Sequence, residues 1–102
     1  MSNKTEYARI SRQYFKTLDQ YVPVVARVHG GSHPEFHKVR ELYDKIVSTT
    51  KDPESQQAGL KELFDELRKA TNDYTVPDDV CESYEAVYKM LEDLDLSCRN
   101  SY

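Results

Sequence analysis

Glycine and proline residues divide this chain into four long segments. Gly30, Gly31 and Pro34 mark the first break, and Pro53 and Pro77 mark the other two. Because these residues interrupt regular structure, each stretch between two breaks is expected to form one element.

Each of the four segments has the spacing of an amphipathic helix. Apolar or aromatic residues recur every three or four positions, as in the stripe Val80, Tyr84, Val87, Leu91 and Leu94 of the last segment. We expect Thr75 to cap that last helix. The first helix should run from about Thr5 to Val28, bent or split near Pro23 because proline removes one helical hydrogen bond.

The same pattern defines the fold class. The chain lacks the alternating apolar and polar runs and hairpin turns that are typical of strands. Short connections between helices favour antiparallel neighbours. The sequence therefore predicts an all-α protein, an antiparallel up-and-down four-helix bundle formed by one domain over residues 1–102.

Composition and charge exclude several function classes. The formal net charge is -4, which argues against DNA or RNA as a partner because phosphate binding needs a basic surface. No apolar run approaches the roughly 20 residues of a membrane-spanning helix. We expect a cytoplasmic protein without stable membrane insertion. The acidic residues concentrate in the second half, where they either attract the basic first half or form a docking face.

The histidines are the candidate metal ligands. His29, His33 and His37 are spaced by four, which would align them on an uninterrupted helix. The break at Gly30 and Pro34 interrupts that helix, so structural or solvent-facing roles compete with metal binding. We expect no cofactor.

The two cysteines are expected to be reduced thiols. Cys81 and Cys98 form neither a Cys-x-x-Cys pair nor part of a metal-ligand cluster. Cys81 is flanked by Asp79 and Glu82, whose charges oppose a thiolate, so we interpret it as a small buried residue. The usual catalytic motifs are also absent, and the protein is predicted not to be an enzyme and to have no catalytic residues.

Four residues are candidate contacts for a partner. Tyr74 lies in the third connection and either closes the end of the bundle or meets another protein. Glu92, Asp93 and Asp95 crowd the end of the fourth helix, where the helix dipole disfavours negative charge. They form either a solvated terminus or a contact patch for a cationic partner.

Two stretches resemble a known family. Residues 25–34 (VARVHGGSHP) and residues 71–81 (TNDYTVPDDVC) are similar to the hemerythrin-like domain of the iron-sulfur cluster repair di-iron proteins, the RIC family. The resemblance continues through Tyr84, Val87, Tyr88 and Leu91. It implies a four-helix bundle that holds two iron atoms with histidines and bridging glutamates.

The chain departs from that family where the ligands should be. If Tyr7 matches the tyrosine that precedes the first ligand histidine, Ala8 stands in the ligand's place. The next ligand segment is missing after residues 47–50, and the third histidine would fall between Ser55 and Gln57. The chain stops at Tyr102, before the final His-x-x-x-Glu segment. The resemblance assigns His29 and His33 to its loop motif and not to its metal shell.

Three functions follow from these observations. The first is a non-enzymatic helical-bundle module, a shortened and ligand-depleted relative of the RIC domain that binds another protein, with a homodimer left open. The second is a bacteriocin-immunity-type four-helix protein, which would carry its specificity in a flexible C-terminal tail. The third is an iron-binding protein of iron-sulfur cluster repair.

Overall fold

Four helices account for most of the chain. The computed structural model describes residues 4–52 and 56–101. The helices are α1 (Lys4–His29), α2 (Glu35–Thr50), α3 (Gln56–Ala70) and α4 (Glu82–Ser101). No strand occurs in these two ranges, so the predicted all-α class is confirmed. Pro53, Ser55 and Tyr102, which entered the sequence analysis, lie outside the described residues.

The first helix continues through Pro23, so it is not split there. α1 is unbroken over 26 residues. Val22 and Val25, which flank the proline, are buried on its inner face. Their burial stabilises this stretch and offsets the hydrogen bond that proline cannot make.

The helices pack as two principal pairs. α1 packs chiefly against α4, and α2 chiefly against α3, while α1 with α2 and α3 with α4 make smaller contacts. The hydroxyl of Tyr14 reaches Asp93, and the end of α1 at His29 meets Cys81 just before α4. The two helices are therefore antiparallel, and the predicted four-helix bundle is confirmed. None of the described helices has the length and apolar character needed to span a lipid bilayer.

The core is built from aliphatic and aromatic side chains of all four helices. Tyr7 of α1 meets Phe64 of α3 edge to face, with ring centroids 6.4 Å apart. Phe36 of α2 lies parallel to Tyr88 of α4, with ring centroids 6.3 Å apart. Other large side chains with almost no exposure include Leu18, Leu42, Tyr43, Ile46, Leu60, Leu67, Tyr84, Leu91 and Leu94.

The fourth helix begins later than the sequence predicts. α4 begins at Glu82, so the expected cap by Thr75 is wrong. The Thr75 hydroxyl instead donates to the carbonyl of Asn72 at 2.6 Å. The Cys81 carbonyl accepts the Glu85 amide at 3.2 Å, which is the first hydrogen bond of the helix.

A run of three left-handed residues follows α3. Asn72, Asp73 and Tyr74 have φ values of 53°, 59° and 61°. Thr71 holds this turn: its hydroxyl donates to the Leu67 carbonyl at 2.8 Å and accepts the Tyr74 amide at 2.9 Å. The turn directs the Tyr74 ring back into the bundle, where it is 7% exposed.

Candidate functional site

The three histidines do not converge on one point. Nε2 of His29, at the end of α1, lies 3.1 Å from Sγ of Cys81. Nε2 of His33 lies 3.0 Å from a carboxylate oxygen of Asp79, and His37 is exposed on α2. Across residues 4–52 and 56–101, no three histidine, cysteine, aspartate or glutamate side chains are grouped so that they could hold a metal ion.

His33 links the start of α2 to the connection before α4. Its Nδ1 lies 3.2 Å from Glu35, opposite the contact with Asp79. Glu35 also accepts the Tyr84 hydroxyl at 3.4 Å, and the hydroxyls of Tyr84 and Tyr88 are 3.0 Å apart. Burial raises the pKa of Tyr84, and its hydrogen bond with Tyr88 raises it further. These contacts join the start of α2, the connection before α4 and α4 itself at one end of the bundle.

The two cysteines occupy opposite environments. Cys98 is buried, and burial together with the nearby Asp95 charge raises its pKa to about 11. Cys81 is exposed, so its interpretation as a buried residue is wrong. The His29 ring beside its sulfur meets Tyr84 edge to face, with centroids 5.5 Å apart. Neighbours in sequence gave no sign of this contact, but antiparallel packing of α1 on α4 brings those helix ends together.

A buried carboxylate network closes the seam between α3 and α4. Asp95 has no exposed surface, and Nη1 of Arg68 donates to both of its oxygens at 2.7 Å. The Tyr74 hydroxyl donates to Asp95 at 2.7 Å, and Nε of Arg99 lies 3.3 Å away. Burial, reinforced by the Asp95 charge, raises the pKa of Tyr74.

This network corrects two of the predicted partner contacts. Tyr74 and Asp95 bind each other inside the protein, so their side chains are not available to a partner at the surface. Glu92 and Asp93 are exposed on α4, and Asp93 accepts the Tyr14 hydroxyl at 3.1 Å. Contact of Glu92 and Asp93 with a partner stays a prediction.

The bundle interior near Ala8 is filled by rings and hydroxyls. The adjacent Tyr7 is buried against Phe64, and its hydroxyl lies 2.8 Å from the Thr50 hydroxyl. Among the described side chains, Asp95 is the one buried carboxylate, and no histidine is buried.

Comparison with known proteins finds distant relatives with one shared name. The chain is 23% identical over 126 residues to the iron-sulfur cluster repair protein ScdA of Staphylococcus haemolyticus (strain JCSC1435), covering 90% of this chain and 55% of the relative. The ScdA proteins of two Staphylococcus epidermidis strains, RP62A and ATCC 12228, are 23% identical over 123 residues with the same coverage. The chain thus spans about half the length of the curated relatives it matches.

Two further comparisons gave no match. No family model matches the chain, and no solved structure matches it. The ScdA relatives support the relationship to iron-sulfur cluster repair proteins that residues 25–34 and 71–81 predict.

Proposed function

We propose that this chain is a non-enzymatic helical-bundle protein that retains the scaffold of iron-sulfur cluster repair proteins without their di-iron centre. It acts by binding another protein. The observation that carries the proposal is that the described interior contains few side chains that could bind a metal. Its one buried carboxylate, Asp95, is already paired with Arg68.

The residues that the structure describes do not fit a di-iron centre. Such centres in four-helix bundles take inward-facing glutamates and histidines from facing helices. In the described interior, Asp95 is bound by Arg68 and Tyr74, which occupy both of its oxygens. His29 and His33 lie at the end of the bundle and face Cys81 and Asp79 instead.

The length of the alignment with the relatives also supports a shortened chain. It runs over 126 residues, more than the 102 residues of this chain, so parts of the relative have no counterpart here. This agrees with the deletion that the resemblance implies after residues 47–50.

Iron binding tests the first half of the proposal. The protein is reconstituted anaerobically with ferrous iron, desalted and analysed for bound metal and for near-ultraviolet absorbance after oxidation. A matched variant, with His29, His33 and His37 all changed to glutamine, measures loose binding by the imidazoles. We expect equal, substoichiometric iron in both proteins. Retention of two iron atoms per chain, as in di-iron bundles, would overturn the proposal and favour a cluster repair function.

The exposed acidic side of α4 is the surface that best fits a partner. Glu92 makes no ion pair within the described part of the chain, and Asp93 lies next to it. Leu96 follows Glu92 by one helical turn on the same face and is 45% exposed. An apolar side chain beside two carboxylates suits a partner whose surface combines a cationic residue with an apolar one.

Charge reversal tests that surface. Affinity purification from the source cells is carried out with the wild type, with Glu92→Lys plus Asp93→Lys, and with Glu62→Lys plus Glu66→Lys. The last variant makes the same charge change on exposed residues of α3. We expect a protein that co-purifies with the wild type and the α3 variant and is lost from the α4 variant. Equal retention by all three proteins would refute this assignment.

A further inference from the structure

An imidazole and a thiol meet where α1 ends and α4 begins. Nε2 of His29 lies 3.1 Å from Sγ of Cys81. A nucleophile within hydrogen-bond reach of a base, with the base held by a third group, is the arrangement that activates thiols. Tyr84 is that third group, since its ring meets the His29 ring edge to face at 5.5 Å.

The pair joins opposite ends of two helices. His29 is the last residue of α1. Cys81 accepts the first hydrogen bond of α4 with its carbonyl, so it lies at the start of that helix. The base and the nucleophile therefore come from different helices, and the fold brings them together.

The charged groups around the pair are mostly acidic. Glu82 and Glu85 lie in the first turn of α4, Glu35 begins α2, and Asp79 precedes Cys81 in the connection. Arg27 is a cation in the last turn of α1. Asp79 is hydrogen-bonded to His33.

We propose that Cys81 is a thiol–disulfide exchange site for low-molecular-weight disulfides of the glutathione class, with His29 as its base. His29 Nε2 takes the proton from Sγ, and the sulfur attacks one sulfur of the disulfide. The disulfide bond breaks, and the displaced thiolate takes the proton from the imidazolium. The Cys81 sulfur is oxidised to a mixed disulfide, and the other half of the reagent leaves as a reduced thiol.

The modification is reversible and stoichiometric. It does not depend on the proposed function. Because Cys81 is exposed, the reagent reaches the sulfur without opening the fold. Cys98, which is buried, should stay unmodified in the folded protein and so serves as an internal reference.

Exchange kinetics test the assignment. The wild type, His29→Gln and His37→Gln are incubated with glutathione disulfide near pH 7, and adducts are followed by intact mass and located by peptide mapping. His37 is the matched control because it is a neighbouring histidine that is exposed on α2. We expect one adduct at Cys81 in the wild type, a rate at least about tenfold lower for His29→Gln, and a rate within about twofold for His37→Gln.

Several outcomes would overturn the proposal. Equal rates for the wild type and His29→Gln would do so, and so would an equal loss in His37→Gln or equal modification of Cys98. Far-ultraviolet circular dichroism establishes that the variants are folded. If His29→Gln is unfolded, the test uses the wild type alone. It then compares the rate of Cys81 modification in the folded protein with the rate in concentrated urea. A faster folded-state rate supports the assignment, and a slower one refutes it.

Discussion

Replacement of Arg68 by methionine should strongly destabilise the bundle, because it leaves a buried charge without its main cation. Asp95 has no exposed surface, and Arg68 binds both of its oxygens at 2.7 Å. Methionine keeps most of the apolar stem of arginine, so the change isolates the loss of the guanidinium.

The magnitude follows from what remains around the carboxylate. Removing one partner of a buried ion pair typically costs about 3–5 kcal/mol. Tyr74 still donates to Asp95 at 2.7 Å, and Arg99 remains 3.3 Å away, so the lower end of that range applies. A loss of about 3 kcal/mol corresponds to a fall of about 15 °C in Tm for a domain of this size.

Urea unfolding of three variants checks the reasoning. Asp65→Asn removes the exposed contacts of Asp65 with Arg68 at 3.5 Å and with Lys69 at 3.3 Å, and it should change the free energy of unfolding by less than about 0.5 kcal/mol. Adding Asp95→Asn to Arg68→Met removes the orphaned charge and should restore at least half of the loss. The reasoning is refuted if Arg68→Met costs under about 1 kcal/mol, or if the double variant is no more stable than Arg68→Met.

Two further predictions concern the bundle end and alkaline pH. A Cβ at Gly30 would lie 2.3 Å from a backbone carbonyl and 2.4 Å from Nε2 of His37, so Gly30→Ala should cost about 1–3 kcal/mol of stability in thermal melts. Gly31 has open space around it, so Gly31→Ala should be nearly neutral in the same assay. Stability should fall as pH rises from about 9, because the folded state retains protons that the unfolded state loses: burial raises the pKa of Cys98 to about 11. Burial likewise raises the pKa of Tyr43, Tyr74 and Tyr84. Urea unfolding at pH 8 and pH 10 measures the decline, Cys98→Ala should reduce it, and a stability independent of pH would contradict the burial argument.

The fold was predictable because its signals are local. Spacings of three and four, interrupted at Gly30, Pro53 and Pro77, are sufficient to predict four helices and their antiparallel order. The start of α4 was not predictable from the sequence, although Thr75 and Pro77 form an ordinary helix-start pattern. The left-handed turn that ends at Tyr74 changes the chain direction before α4. The burial of the Tyr74 ring depends on tertiary packing.

The candidate site depended on contacts that sequence neighbours do not reveal. Cys81 and His29 are 52 positions apart, and only the pairing of α1 with α4 joins them. Asp95 offered a usable signal, since it follows Leu91 by one helical turn on the buried stripe of α4. Its partner Arg68 lies on another helix, and the sequence does not specify which cation neutralises it.

The pairing of α1 with α4 has a consequence for the rate of folding. The contact from Tyr14 to Asp93 spans 79 positions, so this helix pair forms only after a long loop has closed. The α2 and α3 pair closes a much shorter loop. Helical bundles with mostly local contacts fold fastest, and rates fall as contacts join more distant residues. We therefore expect a transition state in which α2 and α3 are already docked, while α1 joins α4 on the native side of the barrier.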